Sequence, residues 1–224
     1  MTTTLACALE DGRAEDIARS VMETVRKAKS MRAWAVEELA PALRSLRDEY
    51  ERQRWRYPEL VRREAGLLEG IRLCEREIPG PEQEDSPVVV VATMTGEPYQ
   101  AGKDIVGKTM SLFGLRVVDA GIHRTPRQLA RCVLHSHAEA LCVCLFASLP
   151  SAVLLAGKTP PWLARTPGSK TTKTVLAGYG ASRQLASELG FDGYAGDGAQ
   201  AARVVQDLCL EVASREDEGK GASA

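Results

Sequence analysis

Apolar positions along this chain follow two regimes that divide near residue 87. In the first they recur every three or four residues among charged ones. Ile17, Val21 and Val25 stand at four-residue spacing with Arg, Lys and Glu between them, which predicts an amphipathic helix. Val36, Leu39, Leu43 and Leu46 share one face of a second helix over about 33–52, with a kink expected at Pro41. A third helix begins near Pro58, a residue suited to a first helical position, and carries Leu60, Val61, Leu67, Leu68 and Ile71. A short helix ahead of Asp11-Gly12 makes a bundle of four.

The stretch 79–87, Pro-Gly-Pro-Glu-Gln-Glu-Asp-Ser-Pro, interrupts this pattern and reads as a solvated linker. Beyond it, short apolar runs alternate with helical stretches. Strands are predicted at Val88–Thr93, Leu115–Asp119, Ala140–Phe146, Thr174–Ala177 and near Gly193-Tyr194. Helices are predicted near 103–113, 126–137, 150–157, 181–189 and 198–212. Such alternation implies a parallel sheet covered on both faces, and five strands imply the flavodoxin-like order 2-1-3-4-5 with ligands at the carboxyl ends of the strands. The fold class is therefore α/β: a four-helix bundle cap over 1–78, a linker at 79–87, a Rossmann-like five-stranded parallel domain over 88–212, and a polar tail, 213–224, expected to be disordered. Pro160-Pro161 is expected to end the helix after strand 3, leaving 159–173 as an irregular loop bordering the site.

Composition narrows the function. The chain has 224 residues, 44% hydrophobic and 26% charged, with a net charge of −1. Residues 1–87 hold 15 Lys/Arg and 18 Asp/Glu and the remainder 14 and 12, so neither half has the basic excess that nucleic acid demands. No apolar run approaches the ~18 residues of a membrane span. The N-terminus lacks the pattern of a signal peptide, and cytoplasm is the expected location. Six cysteines show no C-x-x-C spacing and are read as reduced thiols, with Cys142 and Cys144 placed on opposite faces of one strand.

The candidate chemistry sits where the first strand runs into a helix: Met94-Thr95-Gly96-Glu97-Pro98-Tyr99-Gln100-Ala101-Gly102. This segment resembles the opening of the cobalamin-binding domain of methionine synthase and of the methanol- and methylamine-type corrinoid proteins. There the loop reads Asp-x-His-x-x-Gly, and the His is the lower ligand of cobalt. Glu97 stands at the Asp position, Tyr99 at the His and Gly102 at the Gly. Three further segments follow in the family's order. Val117-Val118-Asp119-Ala120-Gly121 with Thr125-Pro126 is similar to its second strand and turn. In the third strand Cys144, Phe146 and Ser148 stand where the family has Ser, Leu and Thr. Gly178-Tyr179-Gly180 matches its Gly-Gly turn with Tyr179 replacing the second Gly, and Gly190-Phe191-Asp192-Gly193-Tyr194-Ala195 resembles Gly-Ala-Asp-Gly-Tyr-Ala. The segments Val36–Leu43 and Tyr57–Leu60 resemble the family's helical cap.

The resemblance implies cobalamin as cofactor, held by Glu97, Pro98, Tyr99, Gln100, Ala101 and Gly102, by Cys144, Phe146 and Ser148, and by Gly178, Tyr179, Gly180 and Tyr194. It leaves the metal ligand open, since Tyr99 at the lower-ligand position offers a phenol and no nitrogen. Two functions follow. One is a methyl-group carrier working with a methyltransferase or an activating partner protein, without nucleic acid or membrane. The other is a non-catalytic cobalamin sensor, delivery protein or partner subunit that has lost the cofactor. His123, in the loop expected after strand 2, reads as solvated, and Gly178-x-Gly180 lacks the third glycine of a dinucleotide loop because Arg183 occupies it. Trp34 and Trp55 read as cap core.

Overall fold

The computed structural model describes residues 4–54, 56–75, 86–146 and 149–221, the last ten of these by their backbone. The predicted linker and Trp55 lie largely or wholly outside the described residues. Helices α1 (Thr4–Asp11), α2 (Ala14–Lys27), α3 (Met31–Trp34), a π-helical turn (Ala35–Leu39), α4 (Ala40–Glu51) and α5 (Tyr57–Cys74) come first. The π-turn takes the place of the kink expected at Pro41. A proline ring crowds the carbonyl four residues back and offers no N–H, and a locally wider turn accommodates both. Trp34 is buried in the cap core, its Nε1 donating to Thr24 Oγ1 at 2.9 Å.

Then strand and helix alternate: β1 (Val88–Met94), α6 (Gln100–Leu112), β2 (Arg116–Arg124), α7 (Pro126–Ser136), β3 (Ala140–Cys144), α8 (Pro150–Arg165), β4 (Lys173–Ala177), α9 (Arg183–Glu188), β5 (Gly193–Ala195) and α10 (Gly198–Gly221). The sheet is five-stranded and parallel throughout, in the order β2-β1-β3-β4-β5. Both its faces are buried, which explains the unbroken valine run of β1. Val89 and Val91 join Cys142, Val175 and Ala195 on the face covered by α6 and α10. Val88, Val90 and Ala92 join Leu141, Val143 and Leu176 on the face covered by α7, α8 and α9. The core of the helical cap is continuous with the first of these faces: Leu43, Leu60 and Leu67 belong to the same buried cluster as Val89 and Ile105.

Several expectations need correction. Cys142 and Cys144 lie on one face of β3, since residues two apart in a strand point the same way. His123 lies inside β2, in a left-handed conformation with φ of 55°, near a shift in the β1–β2 register. Helix α8 continues through Pro160-Pro161 to Arg165, because Ala152, Ala156, Thr159 and Leu163 recur at helical spacing and hold it to the sheet. The loop after it leads to the amino end of β4, away from the carboxyl edge. Helix α10 runs on to Gly221. No helix among the described residues is long and apolar enough to cross a membrane.

Glycines set the spacing inside the cap. A Cβ on Gly66 would lie 2.7 Å from the Ala14 carbonyl oxygen, and one on Gly70 would lie 2.6 Å from Val21 Cβ, so α5 and α2 approach at backbone distance. Helix propensity alone predicts that Gly70→Ala gains ~1 kcal/mol. Overpacking against Val21 outweighs it, and a net loss of about 1–2 kcal/mol is expected. Urea unfolding measures this as a lowered midpoint at constant slope; an unchanged or raised midpoint would refute the close packing.

Candidate functional site

The carboxyl ends of β1, β3 and β4 present three loops to the cap. The first, 95–99, is fixed by Glu97, which is wholly buried. Its carboxyl group accepts from the Tyr99 backbone N–H at 3.2 Å through one oxygen and from the Phe146 backbone N–H at 2.9 Å through the other. The Glu97 carbonyl accepts from Thr93 Oγ1 at 3.2 Å. One side chain thus ties the loop after β1 to the end of β3, satisfying buried N–H groups that no ladder reaches.

That tie aims two rings at each other. Tyr99 is 3% exposed and meets Phe146 edge-on, with centroids 4.7 Å apart and planes at 87°. Phe146 meets Tyr179 edge-on at 5.8 Å. The cap extends this chain of rings at both ends: Tyr57 packs on Tyr99 at 5.0 Å and Tyr50 on Tyr179 at 5.3 Å. Five rings therefore line the seam between cap and sheet edge, each contact contributing ~0.5–1.5 kcal/mol beyond its buried area. Two ion pairs cross the same boundary, Arg47 Nη1 to Asp197 Oδ2 at 3.6 Å and Lys108 Nζ to Glu75 Oε2 at 2.8 Å.

Gly102 and Gly178 stand beside these rings. A Cβ on Gly102 would lie 2.5 Å from Phe146 Cζ and 2.8 Å from Tyr99 Cε1. Gly178, at φ of 105°, would bring a Cβ into the Leu145 carbonyl oxygen. Both positions thus need glycine, and what approaches Gly102 is aromatic side chain. The void left here, lined by Glu64, Gly102, Phe146, Gly178, Tyr179 and Asp197, has a volume of about 10 Å³. This is space for about one water. Larger grooves lie elsewhere; one of about 500 Å³ opens at the amino ends of β4 and β5, between Lys173, Thr174 and Asp192.

The remaining predicted residues divide. Ala101 packs partly buried against the same core. Gly180 donates its N–H to the Leu145 carbonyl at 3.0 Å and shapes the loop after β4. Cys144 is buried below the rings; its hydrogen bond with Cys142, together with burial, raises its thiol pKa well above the usual range, which keeps it protonated. Pro98 and Gln100 face outward, and Gln100 Nε2 reaches Asp104 at 3.4 Å. Tyr194 packs with the opposite face of the sheet. Ser148 lies outside the described residues. Sequence reasoning missed Tyr50, Tyr57, Glu64 and Arg47, which reach the seam only through the packing of the cap, and Asp197, which meets Arg47 from the loop before α10.

Polar groups in the seam are incompletely satisfied. The Tyr99 hydroxyl and Glu64 Oε2 are buried without a hydrogen-bond partner. Burial pushes the Glu64 carboxyl up to about 8, and Tyr179 opposes the rise. Among the described residues no group of three or more His, Cys, Asp or Glu could hold a metal ion.

No protein-family model matches the chain, and no curated protein does. Solved structures match over nearly its whole length. The monomethylamine corrinoid protein of Methanosarcina barkeri superposes with a TM-score of 0.69 at 14% identity, covering 92% of this chain and 97% of that one. A cobalamin-binding protein of Desulfitobacterium hafniense DCB-2 gives 0.59 at 16% identity, over 91% and 96%. A chain of the methanol:cobalamin methyltransferase complex of Methanosarcina barkeri gives 0.53 at 17% identity, over 92% and 78%.

Removing the loop tie tests the local architecture. Glu97→Ala leaves two buried N–H groups unpaired and is expected to cost about 2–4 kcal/mol. Glu97→Gln, which keeps an acceptor oxygen, should cost less. Equal midpoints for wild type and Glu97→Ala in denaturant unfolding would show that the carboxyl group does not hold the loop. At 14–17% identity, what the chain shares with these proteins is their fold, a helical cap on a Rossmann-like sheet.

Proposed function

We propose that this protein is a gated cobalamin-binding protein, the corrinoid component of a methyl-transfer system, whose site opens when the cap parts from the sheet edge. The observation that carries this reading is the arrangement of cap and sheet in one order over 92% of the chain and 97% of a monomethylamine corrinoid protein. The neighbour named as a methanol:cobalamin methyltransferase complex supports a methyltransferase, or a protein that activates the cofactor, as the partner. The buried, unpartnered hydroxyl of Tyr99 supports a ligand in the seam, because such a group is costly to leave unmade.

In the closed arrangement the residues do not fit the cofactor. A void of about 10 Å³ takes neither a corrin ring nor its nucleotide arm, and Phe146 fills the space against Gly102. Entry therefore requires Tyr99, Phe146 and Tyr179 to separate along with the cap that carries Tyr50 and Tyr57. Such motion would also uncover the apolar core that cap and sheet share, Leu43 and Leu60 with Ile105. Cobalamin supplies a cobalt centre able to carry a methyl group; the protein's share is to bind it, exclude water and present it. Tyr99 would offer a bound corrinoid a phenol and no nitrogen donor.

A second reading is favoured by one observation. The positions at which the resembling family has His, Leu and Gly are here Tyr99, Phe146 and Tyr179, and these three rings touch in succession. Three substitutions that fill one space together suit a module that has given up the cofactor and serves as a sensor, delivery or partner subunit.

One experiment separates the readings. Full-length protein mixed with hydroxocobalamin is expected to stay coloured through gel filtration, and Tyr179→Gly, which removes two ring contacts, should raise retention on the order of tenfold, equivalent to ~1.4 kcal/mol of closure energy. In the Co(II) state, electron spin resonance should show no protein-nitrogen splitting until Tyr99→His supplies it. Colourless protein for both wild type and Tyr179→Gly would overturn the cobalamin reading in favour of the second.

A further inference from the structure

Glu64 projects from α5 into the seam and is 1% exposed. One of its carboxyl oxygens has no hydrogen-bond partner. The group lines one small void with Tyr179, in the loop after β4, and Tyr179 holds its proton affinity down. Burial, then the nearby Glu64, raises the Tyr179 pKa well above the phenol range, so its hydroxyl keeps its proton. The contact therefore joins the cap to the sheet edge one ring from the end of the chain, where Tyr50 packs tilted on Tyr179 at 5.3 Å.

The charged and titratable groups around Glu64 come from every element packed there. Arg47 on α4 is engaged with Asp197 of the loop before α10, at 3.6 Å, and with Asp48 at 3.4 Å. Asp197 lines the same small void as Glu64. Tyr57 on α5 has its pKa raised by burial, then by Glu97 and Glu64. Glu97, from the loop after β1, already binds the Tyr99 and Phe146 N–H groups. No Lys, Arg or His among the described residues forms an ion pair with Glu64, so burial alone drives its carboxyl group toward the neutral form.

We propose that Glu64 and Tyr179 form a proton-dependent latch between the cap and the sheet edge: the seam closes on the neutral Glu64 carboxyl group and parts when that group ionises. A neutral acid is tolerated in an apolar seam, whereas an unpaired carboxylate there loses its hydration without compensation. When the seam is open, water reaches Glu64 and restores the ordinary carboxylate affinity for the proton. The closed form thus binds the proton more tightly than the open form.

The sign of the pH dependence follows. Closure is strongest below the ordinary Glu value of 4.5, weakens as pH rises through the window up to about 8, and levels off above it. Inside the window the closing equilibrium falls about tenfold per pH unit. Because Tyr50 and Tyr57 ride on the cap, the ring contacts loosen with it. Access to Gly102 and Gly178 is then greatest at neutral to alkaline pH.

Hydrogen exchange on the full-length, cofactor-free protein tests this without any cobalamin, so its outcome is independent of the reading above. Protection factors, already corrected for the intrinsic pH dependence of exchange, are compared for seam amides (Gly102, Ile105, Phe146) and for amides of the distant sheet face (Leu141, Val143). Seam protection is expected to fall close to tenfold per pH unit between about pH 5 and pH 8 in wild type, with the distant amides unchanged. Glu64→Gln keeps a neutral group of the same shape and should hold the seam protected at every pH. Tyr179→Phe removes the hydroxyl that favours the carboxylate and should extend the decline to higher pH. Wild-type seam protection that does not vary with pH, or an equal slope in Glu64→Gln, would overturn the latch.

Discussion

Tyr99 against Phe146 is the contact on which the rest of this structure depends. The two rings meet at 4.7 Å because Glu97 fixes both of their backbones, binding the N–H of one and then the other. A loop after β1 and the end of β3 are thereby locked into one surface, on which the cap closes through Tyr57 and, by way of Tyr179, through Tyr50. Remove the tie and the rings lose their mutual orientation; remove a ring and Gly102 faces empty space. The requirement for glycine at 102 arises from crowding by neighbouring side chains.

The seam is apolar by area yet polar at decisive points. Glu64 Oε2 and the Tyr99 hydroxyl lack partners, and Arg47 reaches Asp197 at 3.6 Å. An interface made this way is weaker than the core above and below it, since each unsatisfied group subtracts from what the rings contribute. The cap core behind the seam is different in kind: α2 and α5 approach through Gly66 and Gly70 at backbone distance. Opening is therefore expected along the seam, with the helix bundle and the sheet moving as bodies. Gating and a proton latch are two consequences of one arrangement, a closed interface stabilised by rings and burdened by a carboxyl group.

Much of the fold was legible in the sequence. The valine run of β1 and the alternation after residue 87 carried the sheet and its order, because a parallel strand buried on both faces has a distinctive composition. The extent of α8 was not legible, since two prolines outweigh a sparse buried stripe when no neighbour is visible. The shared face of Cys142 and Cys144 follows from the two-residue period of a strand. At the site, Glu97, Tyr99, Gly102, Phe146 and Tyr179 were placed by their position in the chain and do converge. Tyr50, Tyr57 and Glu64 escaped notice because a helix surface has several faces, and only docking onto the loops selects which one is buried. Nothing in the linear pattern said that Tyr99, Phe146 and Tyr179 would touch one another.

Ring-proton nuclear Overhauser effects offer the most direct test of a closed, openable seam. In cofactor-free protein the account predicts cross-peaks linking Phe146 to both Tyr99 and Tyr179, and their loss when hydroxocobalamin is added. Cross-peaks absent from the free protein would contradict the closed seam. Cross-peaks that persist in protein carrying bound cobalamin would place the cofactor elsewhere and contradict the gate.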